Sequence, residues 1–229
     1  MSNIMIGFVM MMSTIGLFFI MLKVYQKLRN PFLLPILTVT VIIGVLLVLF
    51  DISYETYMVG GEWLQKILGP AVVALAVPLY KQRKLINKYK LTIVISVVCA
   101  MMIGLFSVFI FLLLFKASDA FILTAFPKSL TTPVAMEVSQ TIGGIPPLTA
   151  VMVMVAGFTG AILGPYLFQL FKIESAISRG LAMGSASHGV GTSKLAEYGE
   201  ETLSVGSLAM SLSAVVGAFI CPLFVWVFI

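Results

Sequence analysis

The sequence is poor in the residues that build metal and disulfide sites. It contains a single histidine and two cysteines among 229 residues, and both cysteines, Cys99 and Cys221, lie inside apolar runs. No cysteine–histidine cluster has metal-ligand spacing, so we expect no bound metal ion and no cofactor. The cysteines are also too few to indicate a disulfide framework, and we interpret them as small core residues.

The motifs of common hydrolytic enzymes are missing as well. The chain has no Gly-x-x-x-x-Gly-Lys-[Ser/Thr] phosphate loop, which argues against ATP hydrolysis. It has no Gly-x-Ser-x-Gly nucleophile elbow, and Ser187 directly precedes the only histidine, His188. We therefore expect a protein that is not an enzyme.

Charge is scarce, and apolar residues take its place. Charged residues make up 10% of the chain, hydrophobic residues 60%, and the mean hydropathy is +1.12, which is typical of membrane proteins. Apolar stretches near the bilayer-crossing length of about 20 residues recur throughout. The sequence predicts an all-α, polytopic membrane protein that forms one domain over residues 1–229. Five strong spans are expected at Ile4–Leu22, Leu33–Phe50, Leu91–Phe115, Leu148–Phe171 and Leu203–Ile229. A weaker sixth span is expected at Trp63–Tyr80, where Gly69-Pro70 and Pro78 interrupt the apolar run.

The basic residues are unevenly distributed along the chain. Eleven of the fourteen fall between residues 23–29, 81–90 and 172–194, in three stretches between predicted spans. By the positive-inside rule these stretches are cytoplasmic and the N-terminus is outside. The net charge of +5 therefore indicates membrane orientation, and we expect no nucleic-acid partner.

Two segments between predicted spans are too apolar for loops and too polar for two full crossings. In this orientation Ser118–Pro147 begins and ends outside, whereas Ile173–Glu201 begins and ends inside. Backbone polar groups at membrane depth must be buried in protein or line a watery cavity. A re-entrant hairpin in each segment satisfies both constraints, with the two tips meeting near the bilayer midplane.

Both hairpins are predicted to contain broken helices. Thr131 and Thr132 are N-cap residue types, Pro133 suits the first helical position, and a short helix should then run to about Gln140 before Gly143-Gly144. In the second segment Ile177–Ser185 is helix-compatible, Gly189 and Gly191 should break it, and Thr192 or Ser193 should cap a further helix through Tyr198. Each tip would present a helix N-terminus, which attracts anions, as in many transporters.

A set of short motifs extends over nearly the whole chain. They are Asn30-Pro31, Tyr57-x-x-Gly60-Gly61, Ala76-x-Pro78-Leu79-Tyr80-Lys81, Pro127-Lys128-Ser129-x-Thr131-Thr132-Pro133, Glu137-x-Ser139, Ile142-Gly143-Gly144 and Ser187-His188-Gly189-x-Gly191-Thr192. Together they resemble the LrgB/CidB family, and the length suits its bacterial CidB-like branch. The resemblance implies a multi-pass protein of the bacterial cell membrane.

The resemblance implies two alternative functions. Relatives in plastids exchange glycolate and glycerate, and bacterial members are associated with pyruvate, lactate or acetate, which implies a secondary carrier of small monocarboxylates. Such a carrier would work by an elevator type of alternating access, driven by proton coupling, by anion exchange or by the substrate gradient alone. Bacterial members are also described as holin-like or antiholin-like proteins that modulate murein hydrolases and autolysis. That alternative implies a small holin-like membrane protein as a partner.

The residues at the two predicted tips are the substrate-site candidates. They are Thr131, Thr132, Glu137, Ser187, His188, Gly189, Gly191 and Thr192. Each has a purely structural alternative: His188 could tie two broken helices together, Glu137 could bridge to Lys128 instead of carrying a proton, and the hydroxyls could only cap helices. Lys128 is a weaker candidate that could pair with a carboxylate or snorkel to the surface.

A carrier of this type has a fixed scaffold and a moving transport unit. Residues 1–115 carry no candidate site residue and are assigned to the scaffold, whereas residues 116–229 hold both hairpins. By analogy with other transporters we expect a homodimer formed through the scaffold.

Overall fold

The computed structural model describes residues 3–28, 33, 35–67, 70, 73, 76–81 and 83–229. The regular structure in these residues is helical, which confirms the all-α prediction. The α-helices are α1 (Asn3–Leu28), α2 (Pro35–Leu49), α3 (Tyr54–Lys66), α4 (Ala76–Lys81), α5 (Arg83–Leu114), α6 (Asp119–Ala125), α7 (Thr132–Ile142), α8 (Pro146–Leu170), α9 (Ala176–Lys194) and α10 (Glu200–Phe228). Two 3₁₀-helices, Phe126–Ser129 and Leu195–Tyr198, follow α6 and α9.

Four of the described helices are long and apolar enough to cross a membrane. The apolar spans lie in α1, α5, α8 and α10, and each contains 25 to 29 residues. At 1.5 Å per residue each span is about 37 Å long or more. They correspond to four of the five strong spans expected from the sequence. The fifth, Leu33–Phe50, is shorter than expected, because its helix α2 contains 15 residues and so extends only about 22 Å.

The weaker span expected at Trp63–Tyr80 is not one continuous helix in the described residues. Its first part is the end of α3, which stops at Lys66, and its last part lies in α4. Gly69, which the sequence identifies as an interruption, lies outside the described residues, as does the Asn30-Pro31 motif.

The chain separates into two compact units, Met1–Ala71 and Val72–Ile229. The expected division into scaffold (residues 1–115) and transport unit (residues 116–229) is a functional one and stays a prediction. Helix α5 belongs to the second unit, because its residues Ile93, Val97, Met101 and Leu105 are buried in the core of that unit. That core brings together side chains from α5, α7 and α10.

In the first unit, α1 packs against α2 and α3. Gly60 of α3 touches the backbone of α1 so closely that an added Cβ would meet the Gly7 carbonyl oxygen and lie 2.9 Å from Met11 N. The hydroxyl groups of Thr14 and Tyr57 lie 3.1 Å apart and join the same two helices. A small residue at position 60 therefore fixes the spacing of α1 and α3.

The two segments expected to form hairpins are both broken helices. Between α5 and α8 the chain forms α6, the 3₁₀-helix Phe126–Ser129 and α7, and between α8 and α10 it forms α9 and the 3₁₀-helix Leu195–Tyr198. Helix α9 is interrupted internally at His188, where the backbone leaves helical geometry. The return of each segment to its own side of the membrane stays a prediction.

Candidate functional site

The break in α9 lies at the histidine itself. His188 has φ 36° and ψ −136°, a left-handed region in which a side chain costs about 1–3 kcal/mol. The sequence predicts the break at Gly189 and Gly191, but these glycines lie in the helical turn that follows it. The backbone turns at His188, and the second helical piece of α9 begins after it.

Thr192 and Ser193 do not cap a helix, contrary to expectation. The Thr192 hydroxyl donates to the Gly189 carbonyl at 3.0 Å, and the Ser193 hydroxyl donates to the Val190 carbonyl at 2.7 Å. These bonds run back along the same turn, because the helical piece has already started before them. Thr192 is nevertheless buried, like Ser187.

His188 is buried, with 3% of its surface exposed. The main-chain carbonyls of Val153 in α8 and of Lys128 lie close enough to its ring to act as weak hydrogen-bond acceptors, but no group in the described residues has hydrogen-bond geometry at Nε2. A buried polar atom without a partner costs about 1–3 kcal/mol. Nε2 is therefore available as a contact for a bound molecule or a buried water.

Glycines on both neighbouring helices allow α9 to pack closely. Gly160 and Gly164 of α8 lie against Ser187 and Met183, and Gly184 of α9 contacts the Gly206 carbonyl of α10. Small residues of this kind let membrane helices approach at backbone distance. The break at His188 is therefore enclosed by α8 on one side and α10 on the other.

Helix α7 begins where the sequence predicts. Thr131 is its N-cap, with φ −62° and ψ 141°, and the helix ends at Gly143, whose φ of 85° is left-handed. Thr132 is the first helical residue and not a second cap. The Thr131 side chain makes no capping bond; it is 8% exposed, and its Oγ1 has no partner in the described part of the chain.

Glu137 lies away from this buried region. The buried face of α7 consists of Val134, Ala135, Val138 and Ser139, and Glu137 is exposed on another face. The described residues give it no ion pair with Lys128. The alternative in which Glu137 bridges to Lys128 is therefore not observed.

Lys128 is more central than the sequence indicates. It belongs to the 3₁₀-helix between α6 and α7, is half-buried, and is close enough to His188 for the two charges to interact. Its Nζ donates to Ser129 Oγ at 3.4 Å, and no carboxylate pairs with it among the described residues. The sequence signal for this role is a lysine placed between prolines and hydroxyl residues in an apolar segment.

Sequence reasoning missed a hydroxyl network that holds this region together. Thr149 Oγ1 of α8 lies 2.7 Å from Ser139 Oγ of α7 and 2.8 Å from the Thr124 carbonyl of α6. Thr124 Oγ1 also accepts from the Ile145 amide at 2.9 Å. The unpartnered buried hydroxyls of Ser185 and Ser213 were not predicted either.

A cavity of about 810 Å³ lies between α8 and α9. Its polar lining consists of Lys128, Thr159 and Ser187, so one residue of the predicted set borders it. The other predicted residues are not among its lining: Thr131, Thr132, Glu137, His188, Gly189, Gly191 and Thr192. Among the described residues no three His, Cys, Asp or Glu side chains could hold a metal ion together.

Comparison with known proteins identifies the family. The Bacillus subtilis protein YxaC is 45% identical over 223 residues, covering 97% of each chain. The holin-like protein CidB is 37% identical in Staphylococcus aureus and 36% identical in Staphylococcus epidermidis, over 96% of each chain.

No solved structure matches the chain. The family model described as "LrgB-like family" covers residues 14–227, which is most of the sequence. This multi-pass protein of the bacterial cell membrane therefore belongs to the LrgB-like family.

Proposed function

We propose that this protein carries small monocarboxylates across the cell membrane and holds the anion between Lys128 and the break in α9. The observation that carries the proposal is the unpartnered Nε2 of His188 beside a half-buried lysine with no paired carboxylate. A charge taken from water needs a partner, because an unpaired buried charge is prohibitively costly. An anionic substrate would satisfy both groups at once.

The roles follow from the chemistry of each group. The Lys128 ammonium pairs with the substrate carboxylate, and His188 contributes a hydrogen bond through Nε2. Amide groups at the start of the second piece of α9 and at the N-terminus of α7 supply further donors. Glu137 is exposed, so its proposed part is proton coupling and not contact with the anion. Alternating access by an elevator movement completes the proposed cycle.

Purified protein in liposomes tests the carrier. We expect saturable uptake of radiolabelled lactate, glycolate or pyruvate that unlabelled substrate competes away. Lys128→Gln should raise the apparent substrate constant at least about tenfold, because a charged hydrogen bond contributes about 1.5–3 kcal/mol. The matched control is Lys84→Gln, which changes an exposed lysine and should leave the constant unchanged. Unsaturable uptake with leakage of an encapsulated dye would contradict the carrier.

A second candidate is a holin-like protein that modulates murein hydrolases. Two staphylococcal relatives bear the name holin-like protein, and this supports the second candidate more directly than it supports the carrier. Helices α1 and α2 also expose apolar side chains that suit contacts with lipid or with other subunits, among them Ile4, Phe8, Val45, Val48 and Leu49.

Lys128→Gln also separates the two candidates in cells. A carrier depends on Lys128, whereas an assembly formed by the apolar faces of α1 and α2 does not. Autolysis and murein hydrolase activity that are equal in Lys128→Gln and wild-type cells, with no lactate uptake in either, would favour the holin-like function. A complex with a small holin-like membrane protein is part of this second proposal, whereas the homodimer formed through the scaffold is part of the carrier proposal.

A further inference from the structure

The cavity between α8 and α9 is almost wholly apolar. Lys128, Thr159 and Ser187 are its polar lining residues, and its apolar lining includes Val155, Leu163, Leu167, Phe168 and Met183. We call this cavity the α8–α9 groove. Its volume of about 810 Å³ lies in the range of pockets that enclose drug-sized ligands. A two- or three-carbon acid bound to Lys128 would leave most of it empty.

Lys128 sets the charge of what can enter. It is the basic residue among those that line the groove, and no carboxylate neutralises it in the described part of the chain. It lies beside His188, whose ring is next to Val153 and Gly157 in the middle of α8. A cation beside the middle of α8 attracts an anion that enters the groove.

We propose that the α8–α9 groove holds the apolar tail of an amphipathic monoanion whose charged head pairs with Lys128. This inference rests on the proposed carrier function and names its substrate class: straight-chain carboxylates with longer apolar tails in preference to acetate and lactate. Each methylene removed from water should tighten binding by about fourfold. The gain should stop when the tail fills the groove.

A series of alkanesulfonates tests the tail preference. Sulfonates remain ionised and do not cross the bilayer as neutral acids, which carboxylates of the same length do. Methane-, butane- and hexanesulfonate would be compared as competitors of radiolabelled lactate uptake, and their binding to the purified protein would be measured by calorimetry. We expect the inhibition and dissociation constants to fall by about fourfold per methylene.

Two variants separate the contributions of head and tail. Ala186→Phe adds a ring inside the groove at an exposed position, and it should flatten the chain-length series while leaving methanesulfonate unaffected. The matched control is Ala196→Phe, the same change at an exposed position outside the groove lining, and it should keep the wild-type series. Lys128→Gln should weaken every member by the same factor. The milder Ala182→Leu, also in the groove, replaces Ala186→Phe if that variant does not fold.

The outcomes distinguish this inference from the carrier proposal. Saturable lactate uptake with equal competition by methane- and hexanesulfonate overturns the tail preference and leaves the carrier intact. Hexanesulfonate binding by calorimetry without lactate uptake keeps the groove as an anion site and overturns the carrier. If the dissociation constants of the sulfonates depend on chain length in Ala186→Phe as they do in the wild type, bilayer lipid or a second copy of the chain covers the groove. This result overturns the inference.

Discussion

Gly157 of α8 lies directly against the imidazole ring of His188. A Cβ atom added at Gly157 would come to 3.0 Å from His188 Cε1 and 2.9 Å from Val190 Cβ. The His188 ring therefore occupies the space that a side chain at position 157 would fill.

Gly157→Ala should displace the His188 ring. Overpacking of this kind costs about 1–3 kcal/mol, so we expect a lower melting temperature in detergent and a raised apparent constant for lactate. Gly44→Ala is the matched control, because an added Cβ there meets nothing within 4 Å. It should stabilise helix α2 by about 0.5–1 kcal/mol without affecting uptake. Equal behaviour of the two variants would contradict the packing described for Gly157.

Backbone and side-chain roles of His188 can be separated by two substitutions. His188→Ala removes the ring but keeps a Cβ in the left-handed conformation, whereas His188→Gly removes both. Because φ is 36°, the glycine variant should melt higher than the alanine variant, by a difference of about 1 kcal/mol or more. Both should raise the apparent substrate constant at least about tenfold, since both lose the same hydrogen bond. Normal transport by either folded variant would remove the ring from the site.

Gly60→Ala should disturb the first unit and not the second. Its added Cβ would meet backbone atoms of α1, including Met11 N at 2.9 Å, and backbone cannot move aside as a flexible side chain can. We expect a loss of about 1–3 kcal/mol, measured by thermal unfolding. Gly16→Ala, which meets nothing within 4 Å, serves as the control and should be neutral or stabilising.

The orientation inferred from the basic residues can be tested by cysteine labelling. Cys99 is exposed and Cys221 buried, so both are first changed to serine and alanine respectively. Asn3→Cys and Glu137→Cys should react with an impermeant maleimide from outside, and Asn87→Cys only from inside. Labelling of positions 3 and 87 from the same face would refute the topology.

Local chemistry made α7 predictable from the sequence. Thr131, Pro133 and Gly143 each act within one turn of chain, through an extended residue before the first turn, a fixed φ and a left-handed terminus. The four long spans were equally visible, because about 20 consecutive apolar residues are a local signal. In both cases the information lies in neighbouring residues.

The break in α9 and the place of Glu137 depended on distant residues. Glycines at 189 and 191 signal a break nearby, but contacts of α9 with Gly157 and Gly160 of α8 decide that it falls at His188. Glu137 belongs to a motif beside Ser139, yet only the packing of Val134 and Val138 determines which face of α7 is buried. The assignment of α5 to the second unit likewise rests on core contacts that hydropathy does not encode.

The three glycines of α8 that meet α9 are spaced by three and four residues, at positions 157, 160 and 164. This spacing repeats about once per helical turn, or about 5.4 Å. The surface of α8 under α9 therefore has a row of similar gaps, or notches, where the glycines lack side chains. Ser187 occupies the notch at Gly160, and the notch at Gly164 holds the flexible Met183 side chain. A shift of α9 by one turn along α8 would thus bring Ser187 opposite another of these glycines.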